Sequence, residues 1–310
     1  MSIVTTESMH LIAPWPGGIT LECRIAGPAG APVLMFLHGF PEGAFIWDEL
    51  LAHFASRYRC VAPNLRGYAG SSAPQEVEAY RAKHLAADIA GLVQAVSPGA
   101  PLAALVAHDW GGAVAWGLAA QKPGLMQRLV MINSPHPATF LRELTHNPAQ
   151  QQASAYMNFL CRPDAESLLA ADDYARLWPF FENMGGKAWL DEELRRQYRA
   201  VWTRGVAEEA SPGAGLRGPL NYYRASPLRP ASEPEAALHK VVFAPEQVSV
   251  KLPTTVIWGE ADTALPPSLL DGLEAYVPDL HVVRVPEATH WIVHERPQVV
   301  AREIEAALGR

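Results

Sequence analysis

The chain has little cysteine and no long hydrophobic run. Its three cysteines, Cys23, Cys60 and Cys161, are scattered through 310 residues without CxxC spacing. This excludes a disulfide framework and a zinc-binding pattern, and it predicts buried, reduced thiols in a cytoplasmic protein. No apolar stretch approaches the length of a membrane span. Residues 1–20 lack the basic and apolar regions of a secretory signal, so none is expected.

An excess of positive charge is also missing. The formal net charge is −7, and no basic stripe is interleaved with aromatic residues, so nucleic-acid binding is not expected. The sequence contains no HExxH, Walker or GxGxxG motif, so we expect neither a metal nor a nucleotide cofactor. The remaining composition, with 49% hydrophobic and 18% charged residues, is that of a soluble globular protein.

Short apolar segments alternate with helical patterns along most of the chain. Strands are predicted at residues 19–23, 33–37, 59–62, 102–107, 129–132, 254–258 and 281–285. Helices are predicted at residues 47–55, 80–96, 113–121, 268–276 and 297–308. Because alternating strands and helices give parallel strands joined by crossover helices, this order predicts an α/β sheet covered on both faces.

The alternation stops between residues 137 and 248. Helical patterns there cover residues 149–160, 164–170, 190–203 and 221–225, and the Gly- and Pro-rich residues 211–219 indicate a loop. We therefore expect an α/β core formed by residues 1–136 and 249–310, with residues 137–248 inserted as a helical cap.

The most informative stretch runs from Ala107 to Gly112, between an apolar run and a helical pattern of small residues. Small-x-Asp-x-Gly at this place is the layout of a nucleophile elbow, a tight turn that exposes one side chain above the sheet. The usual elbow carries Ser, whereas this one carries Asp109. A carboxylate attacking an ester would give an unstable anhydride, but at saturated carbon it gives an alkyl ester that water can hydrolyse. The alternative for Asp109 is a helix cap.

Other polar residues follow other predicted strands. Residues 38–42 (HGFPE), Asp262 and His290 each come shortly after a strand, where open α/β sheets place their ligand sites. The chain order of nucleophile, acid and histidine is that of α/β-hydrolases. His38 and His108 are interpreted as residues that hold loops by local hydrogen bonds, and His294 as a surface or capping residue.

In these motifs the chain resembles the α/β-hydrolase fold family, in its branch of epoxide hydrolases and haloalkane dehalogenases. The resemblance covers essentially the whole chain, in the motifs HGFPE (38–42), NLRGYAGS (64–71), HDWGG (108–112), NYYR (221–224), GEAD (259–262) and THW (289–291). Asn64 stands where the family often has Asp, and Ala107 where the elbow usually opens with Gly. The implied fold is a mostly parallel sheet flanked by helices, with an inserted all-helical cap.

The resemblance implies a role for each site residue. Asp109 would form an alkyl-enzyme ester, and His290 would activate the water that hydrolyses it. Asp262 would orient the imidazole and stabilise its charge. The backbone N–H groups of Phe40 and Trp110 would form the oxyanion hole for the tetrahedral intermediate.

The leaving group separates the two branches. An opening epoxide leaves an alkoxide that needs a proton, whereas a halide needs only weak donors. Epoxide hydrolases of this fold use two cap tyrosines, which Tyr156 and Tyr223 match. Haloalkane dehalogenases usually have a halide-binding Asn where this chain has Phe40. Haloacetate dehalogenases have Arg at the positions of Trp110 and Ala113.

The resemblance therefore predicts an epoxide hydrolase without a cofactor, acting as a monomer or homodimer on a small-molecule epoxide. A dehalogenase with the same nucleophile and a non-catalytic ligand-binding protein of this fold remain as alternatives. The expected substrate contacts are Phe40, Trp110, Tyr156 and Tyr223. An apolar or aromatic substituent is suggested by further aromatic candidates: Phe140, Phe159, Trp178, Phe180, Phe181 and Trp189.

Overall fold

A computed structural model describes residues 4–11, 18–203, 213–231 and 236–310. One eight-stranded sheet has the order β1-β2-β4-β3-β5-β6-β7-β8. The strands are β1 (Thr5–Leu11), β2 (Ile19–Ala26), β3 (Val33–Leu37), β4 (Arg59–Pro63), β5 (Ala104–His108), β6 (Leu129–Ile132), β7 (Thr254–Gly259) and β8 (Leu280–Val285). The strand β2 pairs antiparallel with both β1 and β4, and the other pairs are parallel. This is the predicted α/β-hydrolase fold.

Helices pack against the sheet and occupy the segment between β6 and β7. The described helices are α1 (Asp48–Phe54), α2 (Ala82–Val96), α3 (Asp109–Gln121), α4 (Pro137–His146), α5 (Pro148–Ala153), α6 (Tyr156–Leu160), α7 (Ala165–Tyr174), α8 (Pro179–Glu182), α9 (Glu192–Thr203), α10 (Arg217–Ala225), α11 (Pro245–Val248), α12 (Ile292–Glu295) and α13 (Pro297–Gly309). Short 3₁₀ turns cover Ala44–Trp47, Val77–Tyr80, Pro123–Leu125, Gly186–Ala188, Ala214–Leu216, Ala237–Lys240, Pro267–Leu270 and Leu273–Ala275.

The centre of the sheet is buried on both faces. The strands β3, β5 and β6 read VLMFL, ALVAH and LVMI, and every residue in them is buried. Continuous apolar runs of this kind are what a parallel sheet needs when helices cover both of its faces. The edge strand β1 is mostly exposed and polar, which is why no apolar pattern predicted it.

Two predicted elements are wrong. Residues 268–276 form two 3₁₀ turns instead of one helix, separated by Gly272, whose φ of +74° interrupts helical geometry. Residues 214–219 are not a loop, because a 3₁₀ turn leads directly into α10 and Pro219 is accommodated within its first turn. Residues 211–212 lie outside the described residues.

Every described element between β6 and β7 is a helix or a 3₁₀ turn. The division into a core and a separate cap stays a prediction. Within the described ranges, no helix combines the length and the apolar character that a membrane crossing requires.

Candidate active site

Asp109 lies at the turn from β5 to α3, at the carboxyl edge of the sheet. Its φ of +48° is in the left-handed region, which is costly for a residue with a Cβ and typical of a strained elbow. Gly111 and Gly112 permit close approaches: a Cβ would lie 2.6 Å from the His38 carbonyl oxygen or 2.3 Å from Ser134 Oγ, respectively. Ser134 Oγ donates to the Asp109 carbonyl at 2.7 Å. The turn is therefore fixed by both neighbouring strand ends.

The Asp109 carboxylate is largely buried, with its side chain 14% exposed. Its Oδ1 accepts a hydrogen bond of 2.7 Å from the Phe40 backbone N–H. Gly39 lets this loop pass beside the carboxylate, since a Cβ there would lie 2.3 Å from Asp109 Oδ1. The Phe40–Pro41 peptide bond is cis. One carboxylate oxygen is thus anchored, and Oδ2 is the one that faces His290.

His290 connects the two predicted carboxylates. Its Nδ1 lies 2.7 Å from Asp262 Oδ2, and its Nε2 lies 3.7 Å from Asp109 Oδ2. Its side chain is 7% exposed and that of Asp262 is fully buried. Because Asp262 holds Nδ1, the opposite edge of the ring is directed toward Asp109.

Asn133, which the sequence reasoning missed, helps to hold Asp262 in place. Its Nδ2 donates to Asp262 Oδ2 at 2.9 Å, and its Oδ1 accepts from the Gly259 N–H at 2.8 Å. Asp262 Oδ1 also accepts from the N–H groups of Ala264 and Leu265, both at 2.9 Å. The available signal was an Asn directly after β6, at the same sheet edge as the other candidates.

The surroundings of His290 set its protonation. Burial lowers the pKa of the imidazole, but the charge and hydrogen bond of Asp262, followed by the charges of Asp109 and Glu42, outweigh burial and raise the pKa to about 9. At neutral pH the ring is therefore an imidazolium between carboxylates. Removing one of the negative charges that hold this proton would lower the pKa of the ring.

Tyr156, on α6, and Tyr223, on α10, lie in the same group of aromatic side chains. Their ring centroids are 6.3 Å apart, and the Tyr223 centroid is 5.1 Å from those of both Phe40 and Trp110. Burial raises the pKa of each phenol far above its ordinary value, and the charge of Asp109 acts in the same direction on both. Both tyrosines hold their protons at neutral pH and are hydrogen-bond donors.

The other aromatic candidates lie in different parts of the structure. Phe180 belongs to the same group, with its centroid 5.6 Å from that of Tyr156 and 6.1 Å from that of Phe40. Phe140 is buried in the core cluster, and Phe159 packs against it. Three others form a separate aromatic cluster, in which Trp178 contacts Trp202, Phe181 contacts Trp291 and Trp189 stacks on His294. Only part of the predicted aromatic lining therefore surrounds the tyrosines.

Glu42 is the centre of a buried network that crosses from the sheet edge to α9 and α12. Its Oε2 accepts from His108 Nδ1 at 3.0 Å, and its Oε1 accepts from the Tyr198 hydroxyl at 3.0 Å and from His294 Nε2 at 2.9 Å. Burial raises the pKa of Glu42, but these histidines outweigh burial and hold it below its ordinary value. His108 Nε2 also reaches the His290 carbonyl at 2.9 Å.

This network corrects the interpretation of His294, which is 11% exposed and is not a surface or capping residue. His38 does hold a loop. Its Nδ1 lies 2.9 Å from the Gly39 carbonyl, and its Nε2 accepts from the Leu65 N–H at 3.0 Å. Burial lowers the pKa of His38 to about 4, so the ring stays neutral. In the described part of the chain, no group of three or more His, Cys, Asp or Glu side chains could hold a metal ion.

Comparisons with known proteins place the chain in a family. The family model described as alpha/beta hydrolase fold matches residues 32–297. The chain is 34% identical to the AB hydrolase superfamily protein YfhM of Bacillus subtilis (strain 168), over 91% of this chain and 92% of that one. It is 31% identical to epoxide hydrolase 4 of Mus musculus, over 91% and 74% of the two chains. The crystal structure of Bacillus megaterium epoxide hydrolase in complex with an inhibitor has a TM-score of 0.85 and 30% identity, covering 98% and 100%.

The chain therefore belongs to the α/β-hydrolase fold family and is a hydrolase. Within the family it groups with proteins named epoxide hydrolases, which confirms the resemblance found in the sequence motifs.

Proposed function

We propose that the protein is an epoxide hydrolase that converts an epoxide to a vicinal diol through an ester of Asp109. The observation that carries the proposal is the pairing of a carboxylate with two protonated phenols, Tyr156 and Tyr223, both of which lie within range of the Asp109 charge. An alkoxide leaving group needs such donors. The names of the relatives support the same reaction.

In the first step, Asp109 Oδ2 attacks an epoxide carbon, and the bond from that carbon to the epoxide oxygen breaks. The oxygen takes a proton from Tyr156 or Tyr223, leaving a tyrosinate and a hydroxyalkyl ester. Asp109 suits this role because the Phe40 N–H anchors Oδ1, whereas no backbone N–H of the described residues donates to Oδ2. Positioning the nucleophile and the acid in one site makes the step effectively unimolecular.

In the second step, water attacks the ester carbonyl carbon of Asp109 while His290 takes a proton from it. The N–H groups of Phe40 and Trp110 stabilise the resulting oxyanion, at roughly 3 kcal/mol for each donor. The Phe40 N–H already contacts the carboxylate, and the Trp110 N–H is in the first turn of α3, where N–H groups lack partners within the helix. The diol leaves with the proton from His290, and the carboxyl proton returns to the tyrosinate through solvent.

The two alternatives, a dehalogenase and a ligand-binding protein, would need different residues at the site. A dehalogenase would use the same Asp109 and His290 but has no need for phenolic donors. A ligand-binding protein would need neither the strained elbow nor the histidine between two carboxylates. Phe40, Trp110 and Phe180 lie in the same aromatic group as the two tyrosines. This apolar environment favours an epoxide with an apolar or aromatic substituent.

The covalent step is tested by a single turnover in ¹⁸O-water with enzyme in excess. We expect the label in the Asp109 carboxylate, detected by mass spectrometry of the peptide that contains it, because water attacks the ester carbonyl. Later turnovers then deliver this oxygen to the diol. Label that appears in the diol during the first turnover, with none in Asp109, would exclude the ester mechanism.

The donors are tested with Tyr156→Phe, Tyr223→Phe and the double variant. Each single change should slow ring opening about 10²-fold, since it removes a general acid while it keeps the ring. The double variant should lose nearly all epoxide turnover but keep any residual turnover of a bromoalkane. Tyr58→Phe, at the opposite end of the sheet before β4, is the matched control.

A panel of aryl and alkyl epoxides, fluoroacetate and bromoalkanes provides the substrates for this comparison. Undiminished epoxide turnover in the double variant would exclude both tyrosines as donors. Halide release without epoxide turnover in the unmodified protein would instead identify a dehalogenase.

A further inference from the structure

The backbone of helix α10, which carries Tyr223, packs directly against the backbone of the loop after β4, with no side chain between them. A Cβ on Gly218, in the first turn of α10, would lie 2.5 Å from both the Cα and the carbonyl oxygen of Gly67. Both partners are backbone atoms, so no flexible side chain could move aside. Gly67 requires glycine for its φ of +88° as well, whereas Gly218 requires it only for this approach.

Hydrogen bonds hold α10 at the same place. The Tyr222 hydroxyl donates to the Arg66 carbonyl at 2.9 Å, directly beside the glycine contact. The side chain of Arg66 is held in place, because its guanidinium donates two hydrogen bonds of 2.6 Å to Asp88 and one of 2.8 Å to the Ala79 carbonyl. Arg66 and Asp88 are almost fully buried. The loop that α10 contacts is therefore anchored to α2 and to the 3₁₀ turn Val77–Tyr80.

The other end of α10 is held by α7. Arg224 binds both oxygens of Glu166, at 2.6 and 2.8 Å, and donates to the Arg162 carbonyl at 2.8 Å. With this end fixed, a displacement at Gly218 would tilt the helix, and Tyr223 lies between the two fixed points.

We propose that the backbone contact between Gly67 and Gly218, together with the hydrogen bond from Tyr222 to Arg66, sets the position of the Tyr223 hydroxyl relative to Asp109. Gly218 and Tyr222 are then positioning residues for ring opening, and this inference rests on the proposed function of Tyr223. An added Cβ must move by about 1 Å to reach ordinary van der Waals distance. A tilt of α10 about its Arg224 end transmits part of this displacement to the Tyr223 hydroxyl, and a misplacement of about 1 Å costs up to about 10²-fold in rate.

The test compares Gly218→Ala with Gly117→Ala by rapid-mixing kinetics. Gly117 is a helical glycine on α3, and beyond its own helix backbone and chain neighbours no described atom lies within 4 Å of an added Cβ, so it controls for the general effect of alanine in a helix. We expect Gly218→Ala to slow ring opening by about tenfold to 10²-fold and to leave hydrolysis of the alkyl-enzyme unchanged. Gly117→Ala should change neither rate.

A double-mutant cycle shows whether the effect passes through Tyr223. In the Tyr223→Phe background, Gly218→Ala should slow ring opening no further, because the donor that it displaces is already absent. Tyr222→Phe adds no bulk and serves if Gly218→Ala does not fold. It should also slow ring opening selectively, and this effect should vanish in the Tyr223→Phe background.

The outcomes separate this inference from the proposed function. If Tyr223→Phe slows ring opening but Gly218→Ala and Tyr222→Phe behave as the parent does, the positioning inference alone is overturned. The same conclusion follows if their effects add to that of Tyr223→Phe, or fall equally on hydrolysis. If Tyr223→Phe itself has no effect, the donor role fails, and the inference fails with it.

Discussion

The folded protein should lose stability between pH 6.5 and pH 9 because of His290. In the unfolded chain this imidazole has its ordinary pKa of 6.5, whereas in the folded protein the neighbouring carboxylates raise the pKa to about 9. Below pH 6.5 both states hold the proton, and the stabilisation is fully present. As the pH rises, the unfolded state releases its proton first, so the stabilisation falls and is lost through pH 9.

The size of the effect follows from the two pKa values. A difference of about two and a half pH units corresponds to about 3 kcal/mol of unfolding free energy. Solvent screening reduces this little, since the side chain is 7% exposed. The window ends at pH 9 because above that pH the imidazole is neutral in both states. The Cys23 and Cys60 thiols contribute only above this window, since their ordinary pKa is 9.0 and burial raises the pKa to about 12 in the folded protein.

Urea unfolding followed by circular dichroism at pH 6.5, 7.5, 8.25 and 9 measures this effect. Relative to His290→Gln, the midpoint of the parent should fall by about 1 M for a slope of about 3 kcal/mol per M. The variant serves as the reference because it keeps the opposite contributions of His38 and His136, whose pKa burial lowers to about 4. In His290→Gln the decline should be absent, whatever the absolute stability of the variant. His146→Gln, which changes an exposed histidine at the end of α4, should keep it. Parallel curves for the parent and His290→Gln across this window would refute the reasoning.

Two further predictions concern the reaction itself. His290→Gln should still form the ester but fail to hydrolyse it. Intact-protein mass spectrometry should then show an adduct with the mass of one substrate. Normal turnover by this variant would contradict the assignment of the base. In the parent enzyme, the hydrolysis rate should fall as the pH is lowered through the pKa of His290, because the protonated ring is not a base, while ring opening should show no such limb. Rapid-mixing measurements from pH 5 to pH 9 would separate the two steps, and an acid limb confined to ring opening would oppose this mechanism.

Much of the fold could be predicted from the sequence because its central strands are continuous apolar runs. The runs at β3, β5 and β6 stand out locally, and the residues that follow such strands mark the edge where the site lies. The edge strand β1 has no such run. Residues 268–276 carry a helical pattern, but Gly272 adopts a conformation that interrupts it, and a hydrophobic pattern does not reveal φ.

The candidate triad was accessible to sequence reasoning because each member has a distinctive chemical type at a strand end. The structure brings Asp109, Asp262 and His290 together, and their roles stay predictions. What was missed depends on partners far apart in the chain. Asn133 meets Asp262 across 129 positions, and Glu42 meets His294 across 252. A local pattern carries no information about such pairs, so His294 looked like a surface residue.

The charges around His290 connect the two proposed steps. In the resting enzyme the ring is an imidazolium held by Asp262 and Asp109, a state in which it cannot remove a proton from water. Forming the ester neutralises Asp109, which removes one of the charges that raise the pKa of the ring. The pKa of His290 must then fall, while Asp262 continues to orient Nδ1 through the 2.7 Å hydrogen bond. In the proposed mechanism the ring therefore loses its proton more readily once there is an ester to hydrolyse, and this order follows from the electrostatics of the site.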